Sequence, residues 1–317
     1  MHSMTSIAII GAGISGLRAA QLLHSQANVT IFEKSRGVSG RMSTRYNGDY
    51  EFDHGAQYFT VKTQEFSTFL HPYIQDDIVT PWIPDGLPEE ERKKYVATPR
   101  MNSLCKAMAK DLNVKLGTRV GSARFDDGHW TLTDDAGASL GEFDGLIVTI
   151  PAEQARAILG RDAAAGIKTV SHIANFTLMA GLSEIWSGPW EAIRPDNEII
   201  GWATVNSSKP GRDIDYTTLV IQSRNEWAET HKDADRDWVQ AQMITAFRAA
   251  TGIDVTDAEV LSLHRWLYAN VAAALGSDMY TEPARKLIIA GDGCLGGRVE
   301  SAWKSGDAAG RKAAEWA

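Results

Sequence analysis

A glycine turn near the start of the chain, Gly11-Ala12-Gly13-Ile14-Ser15-Gly16, limits what this sequence can fold into more than any other stretch. The apolar run before it, Ile7-Ala8-Ile9-Ile10, reads as a buried strand of a parallel sheet. After it, Leu17, Ala20 and Leu23 recur at helical spacing, so a helix opens inside the motif. Val29-Thr30-Ile31-Phe32 forms a second strand and ends at Glu33. Strand, tight turn, helix, strand and acid make one dinucleotide-binding unit. Gly11 allows the turn, Gly13 lets backbone approach a pyrophosphate, and Gly16 lets the helix lie close to the sheet. The helix start offers N–H groups and the positive end of its dipole to phosphate. Glu33 is placed to accept both hydroxyls of an adenosine ribose.

The next residues narrow the cofactor. Glu33-Lys34-Ser35-Arg36-Gly37-Val38-Ser39-Gly40-Arg41-Met42 holds a second glycine turn followed by arginine. It fits a loop folding back over the same pyrophosphate, with Arg41 as a two-pronged phosphate donor. This resembles FAD enzymes of the amine oxidase and glutathione reductase type, whose loop carries Gly-Gly-Arg. Ser39 stands here for one of those glycines. FAD is favoured over NAD, because NAD dehydrogenases do not need the second loop.

Charge and cysteines exclude other classes. The net charge of −8 argues against a general binder of nucleic acid or anionic membrane. Cys105 and Cys294 are the only cysteines and form no CxxC, which implies no disulfide framework, no zinc site and no dithiol-flavin chemistry. No long apolar run and no leader pattern is visible, so the expected location is the cytoplasm, with no metal and no membrane partner.

Further along, Phe52-Asp53-His54-Gly55-Ala56-Gln57-Tyr58-Phe59-Thr60 passes from small residues to aromatics, as suits backbone running beneath a flat ring. A short helix is expected over 63–70 and a helix capped by Asn102 or Ser103 through about Lys110. Between them, Pro81, Pro84, Pro88 and the charged run 89–94 read as an exposed connection. Strands at 118–120 and 130–133 suggest a small meander, and 146–150 returns to a buried parallel strand. Strands at 176–182, 199–205, 217–223 and 259–268, with a helix over 235–250, suggest a second, substrate-facing sheet. Period two puts His264, Trp266 and Tyr268 on one face, either a wall for a planar substrate or ordinary sheet core. Leu287-Ile288-Ile289-Ala290 leads into Gly291-Asp292-Gly293, whose carboxylate suits a ribityl or phosphate-linked hydroxyl. A final helix from Val299 carries Gly306, Ala309 and Gly310, small residues suited to close packing. Its N-terminus is placed to stabilise charge on a reduced flavin.

The glycine motifs, Gly55-Ala56-Gln57-Tyr58-Phe59-Thr60, Lys209-Pro210, His264-Arg265-Trp266-Leu267-Tyr268 and Gly291-Asp292-Gly293-Cys294-Leu295 together resemble the bacterial renalases, nearly end to end. Two positions depart from that pattern: His54 stands before Gly55 in place of an apolar residue, and Gly211 follows Lys209-Pro210 in place of an acid. The resemblance implies an α/β fold like that of p-hydroxybenzoate hydroxylase: a Rossmann-type FAD-binding domain with a mixed or antiparallel-sheet substrate domain. The expected FAD-binding domain comprises 1–60, 97–165 and 283–317, and the substrate domain 61–96 and 166–282. It implies non-covalent FAD that oxidises the 2- and 6-dihydro isomers of NAD(P)H to NAD(P)+ and passes electrons to O2, giving hydrogen peroxide. No protein general base is required. The cofactor-binding candidates are Gly11, Ala12, Gly13, Ser15, Gly16, Glu33, Lys34, Arg41, Met42, Gln57, Tyr58, Val120, Gly291, Asp292 and Val299. The candidates for positioning substrate are Gln57, Tyr58, Phe59, Thr60, His264, Trp266 and Tyr268, with Lys209 or Arg212 for its phosphates. An ordinary flavin amine oxidase, or a redox-sensing flavoprotein without turnover, would carry the same FAD motifs. Oligomeric state is not legible.

Overall fold

The computed structural model describes residues 4–317; residues 1–3, where the expected FAD-binding domain begins, lie outside the described residues. Contacts divide the chain into two compact units. One comprises the chain up to Gly40, Cys105–His172 and Val271–Ala317; the other comprises Arg41–Leu104 and Ile173–Asn270.

The first unit is built on a six-stranded sheet. Ser6–Ile10 lies between Asn28–Phe32 and Gly145–Val148 and is parallel to both. Leu287–Ile289 extends the parallel set, and Tyr280–Glu282 closes that edge antiparallel. Ile7, Ala8, Ile9 and Leu146 are fully buried, as the apolar runs require of strands covered on both faces. The helices Ile14–Leu23 and Val299–Ala313 pack tightly because Gly306 and Gly310 carry no side chain. A Cβ on Gly306 would lie 2.7 Å from Ser15 Cα, and one on Gly310 3.0 Å from Ala19 Cα. The expected meander is present as Val120–Asp126, His129–Asp134 and Ser139–Phe143.

The second unit centres on a five-stranded sheet whose strands Ala192–Ile193, Ile200–Val205, Thr217–Ser223 and Ser171–Leu182 pair antiparallel, with Val260–Ala273, the last three residues of which fall in the first unit, at the far edge. The helix Arg236–Thr251, capped by Asp235, buries Val239, Met243 and Phe247 against Phe176, Leu178 and Leu219. Residues 41–60, expected with the FAD domain, pack here because Phe52 is buried with Met179 and Val220. Conversely, 271–282 belongs to the first unit, since Tyr280–Glu282 pairs with Leu287–Ile289.

The connection at 79–97 is exposed where expected over most of 83–93, including Glu89, Glu90 and Lys93, but its two ends form a ribbon. Val79–Trp82 pairs with Lys94–Ala97, and Lys94 is buried with its ammonium over the Tyr58 ring. A two-stranded ribbon has free edges, so Pro81 is tolerated without a ladder donor. Among the described residues no helix is long and apolar enough to cross a membrane.

Candidate active site

In the first unit the glycine turn has the geometry a dinucleotide needs. Gly11 sits at φ +106°, where a side chain would be strained, and a Cβ there would also meet Thr149. Gly16 lies against the carbonyl of Gly11, so a Cβ there would overlap backbone. Gly13, the N-cap of the first helix, faces nothing within 4 Å in the direction of a Cβ. Glu33 is buried; its Oε2 accepts from Ala12 N at 2.9 Å and its Oε1 from Ser35 N at 2.8 Å. The acid thus braces both glycine loops. The loop after it does fold back: Ser39 N donates to Ala12 O at 2.9 Å, and Gly40 lies beside Gly13. Ser39 holds φ +111° without being glycine, so the substitution stores backbone strain of about 1–3 kcal/mol. Lys34 Nζ reaches Gln154 at 3.3 Å, and burial lowers its pKa. Gly291, at φ +131°, turns the chain into the short helix Asp292–Leu295, where Asp292 is buried. Val120 opens its strand and Val299 opens the last helix.

In the second unit the positioning candidates do not line one wall. Gln57 is turned inward: its amide donates to the carbonyls of Asp53 and Gly55 and accepts from Lys209. Phe59 bridges to Tyr95 in the core and packs on Phe66. Tyr58 lies against Trp202 at 5.2 Å, while Thr60 is half-buried. Met42 is buried in the turn Gly40–Met42. Arg41, expected to meet a phosphate, donates from Nη1 to the carbonyls of Ala269 at 3.1 Å and Tyr268 at 3.4 Å. Its own carbonyl accepts from Ala56 N, and Gly55 approaches so closely that a Cβ would lie 2.9 Å from the Arg41 carbonyl carbon.

Lys209 and Arg212 are also unlike the expectation. Both are buried on Asp53, with Arg212 Nη2 at 2.7 Å and Lys209 Nζ at 3.3 Å from Asp53 Oδ2. Lys209 further donates to Asn206 Oδ1 at 2.9 Å. Asp53 Oδ1 accepts from Thr44 Oγ1 and Met101 N. Burial alone would raise the Asp53 pKa, but Lys209 and Arg212 hold it well below the carboxylate range. Burial also pulls Lys209 down to about 8, against the opposing pull of Asp53. Gly211 is explained by the same knot: it holds φ +74°, and a Cβ there would strike Thr98 and Pro99.

His264 and Trp266 do come together, at 4.5 Å between rings, and sequence reasoning missed their third member. His54 stacks on Trp266 at 5.0 Å, and Trp266 Nε1 donates to His54 O at 2.9 Å. Burial, His264 and Arg45 push His54 down to about 3; burial, Arg45 and Arg236 push His264 down to about 4. Both imidazoles are neutral in the folded chain but take up protons near pH 6.5 when unfolded. Between about pH 4 and 6.5 the unfolded chain binds more protons, so stability falls as pH falls, by up to about 1.4 kcal/mol per pH unit for a buried histidine. Urea unfolding at pH 7 and pH 5 should show this loss, and His54→Phe should reduce the slope; an unchanged slope would count against a neutral His54.

The comparisons with known proteins agree with this architecture. Residues 9–71 match the NAD(P)-binding Rossmann-like domain, and residues 79–313 match the flavin containing amine oxidoreductases. The chain belongs to the flavin containing amine oxidoreductase family, and its cofactor is FAD. Within that superfamily it is renalase-like. It is 23% identical to renalase from Mus musculus over 328 residues, 92% of this chain and 93% of that protein. Cyclohexylamine oxidase from Brevibacterium oxydans IH-35A shares the fold at TM-score 0.75 and 14% identity, with 99% of each chain covered. A putrescine oxidase bound to putrescine shares it at TM-score 0.72 and 13% identity, with 98% of each covered. The residues present fit FAD: Gly13 leaves open space at the helix start, and Ser15 Oγ beside it is buried without a hydrogen-bond partner.

Proposed function

We propose that this protein oxidises the 2- and/or 6-dihydro isomers of NAD(P)H to NAD(P)+, with O2 reduced to hydrogen peroxide. The observation that carries the reading is similarity to a renalase over nearly the whole of both chains. FAD, when bound, would supply the hydride acceptor and the two-electron route to O2. The misreduced ring is already a strong donor, because losing hydride restores aromaticity. The protein therefore needs to hold and orient it, not to remove a proton from it.

Each unit contributes its own part. In the first, Gly13 and the helix start receive the pyrophosphate, Glu33 the adenosine ribose, and Asp292 a polyol or phosphate-linked hydroxyl. In the second, the Trp266 ring, flanked by His264 and His54, presents a flat and neutral surface to the nicotinamide. Neutral imidazoles suit that task, since a charged one would repel the cationic NAD(P)+ being formed.

Family membership keeps a second reading in view, oxidation of a small amine. Its enzymes commonly place a lysine near the flavin, and here the fully buried Lys209 is engaged by Asp53, Asn206 and Gln57. Anaerobic stopped-flow absorbance separates the two. Rapid bleaching of the flavin by 2- or 6-dihydro NAD(P), with slow bleaching by the 4-isomer, is the expected result. Bleaching by amines but by neither unusual isomer would replace the first reading with the second, and turnover with nothing would favour a sensor.

A further inference from the structure

We propose that Arg45 and Arg236 form a binding site for the phosphates of the nucleotide substrate, a step that rests on the dihydronicotinamide reading above. The two guanidiniums come from different elements, the short strand Arg45–Asn47 and the first turn of the helix Arg236–Thr251. They meet consecutive residues of one strand. Arg45 Nη2 lies 3.3 Å from His264 Nδ1, and Arg236 Nη2 donates to Leu263 O at 2.5 Å.

Neither has a carboxylate within ion-pair distance among the described residues. Other arginines of the same unit do: Arg100 pairs with Glu51, Arg212 with Asp53 and Arg265 with Asp233. Asp235, next to Arg236 in sequence, accepts the N–H groups of Asp237 and Trp238 at its Oδ1 and forms no ion pair with Arg236. Arg45 feels the charge of Arg236. Burial and then Arg236 lower the Arg45 pKa, and both arginines lower that of His264. In a chain of net charge −8, a half-buried and an exposed guanidinium against consecutive strand residues, neither paired with a carboxylate, make a local excess of positive charge. A pyrophosphate would relieve it and could accept from both forks.

The site also has the right neighbours. His264 is shared: its ring touches Trp266 on one side, and its Nδ1 faces Arg45 on the other. A dinucleotide with its nicotinamide on Trp266 would run its phosphates toward the arginines. Neutral His264 then accepts from Arg45 and fixes that guanidinium, making it a positioning residue for the anion.

The test titrates ADP-ribose, and adenosine as the phosphate-free control, into FAD-loaded protein by calorimetry. Wild type should bind ADP-ribose in a salt-sensitive manner. R45M and R236M should each weaken it about tenfold, the double variant about a hundredfold, with adenosine unaffected. Flavin absorbance per protein should not change, which separates substrate phosphate from that of FAD. Equal affinity across the variants, equal loss for adenosine, loss of flavin, or no binding to wild type would overturn the site. Reduction by the dihydro isomers is scored separately. If the isomers fail but the arginine-dependent loss of ADP-ribose remains, the phosphate site stands and the nicotinamide reading falls. If they succeed with unchanged ADP-ribose affinity, the reverse holds.

Discussion

Asp53→Ala is expected to destabilise the second unit by about 3–5 kcal/mol, the usual cost of leaving a buried charge without its partner. The carboxylate is 1% exposed and sits between two cations that are themselves buried. Removing it leaves Lys209 and Arg212 facing each other with no anion. It also strands Thr44 Oγ1 and Met101 N, which now donate to Asp53 Oδ1. Water cannot easily replace it, because Lys209 has no exposed side-chain surface. Asp53→Asn should fall between Ala and wild type, since it keeps the acceptor but not the charge. Lys209→Met should be milder, about 1–3 kcal/mol, because Asp53 keeps Arg212 and its two Oδ1 donors. Urea unfolding followed by tryptophan fluorescence would rank the three; a loss under 1 kcal/mol for Asp53→Ala would show that the knot does not hold the unit together.

That network was not legible in the sequence, and the reason is distance along the chain. Asp53 and Lys209 are 156 residues apart. Nothing local marks an aspartate between Phe52 and His54 as a buried anion, or a lysine before proline as its partner. Lys209 and Arg212 read as phosphate ligands because free cations in a nucleotide enzyme suggest that use; burial reverses the inference. Gln57 fails for the same cause, its amide being taken up by Asp53, Gly55 and Lys209 rather than left for a ligand. Phe59 and Tyr58 illustrate a different limit. Neighbours in an extended run point opposite ways, so one enters the core with Phe66 and the other meets Trp202. Local signals fared better. The apolar run before Gly11, the helical spacing after Gly16, the strand ending at Glu33 and the helix over 235–250 depend on residues a few positions apart, and each is found where expected. The His264–Trp266 contact was legible from period two, but His54 was noted only as a departure from a pattern.

The glycine motif supports the second large prediction, because its glycines are glycine for different reasons and the difference can be measured. A Cβ on Gly16 would overlap the Gly11 carbonyl and lie 2.7 Å from Thr149 Oγ1. Thr149 Oγ1 is itself fixed by donating to the carbonyls of Ile10 and Gly11 at 3.0 Å. Backbone on one side and a bonded hydroxyl on the other leave no room to relax. Gly16→Val should therefore displace the first helix, costing at least about 1–3 kcal/mol in the apoprotein as an overpacked core does, and abolish flavin binding. Gly13 contrasts with it. Its φ of −77° suits any residue, and a Cβ there meets nothing within 4 Å. Gly13→Ala should leave the apoprotein folded, with a change under about 1 kcal/mol for alanine at a cap. The added methyl would instead occupy the space a pyrophosphate needs. FAD affinity should fall at least about tenfold, since hydrogen bonds to a charged group are worth about 1.5–3 kcal/mol. Circular-dichroism melting of the apoproteins and fluorescence titration with FAD read the two effects independently. Loss of fold in Gly13→Ala, or full FAD affinity with the fold intact, would remove Gly13 from the cofactor site and leave the open space beside it unexplained.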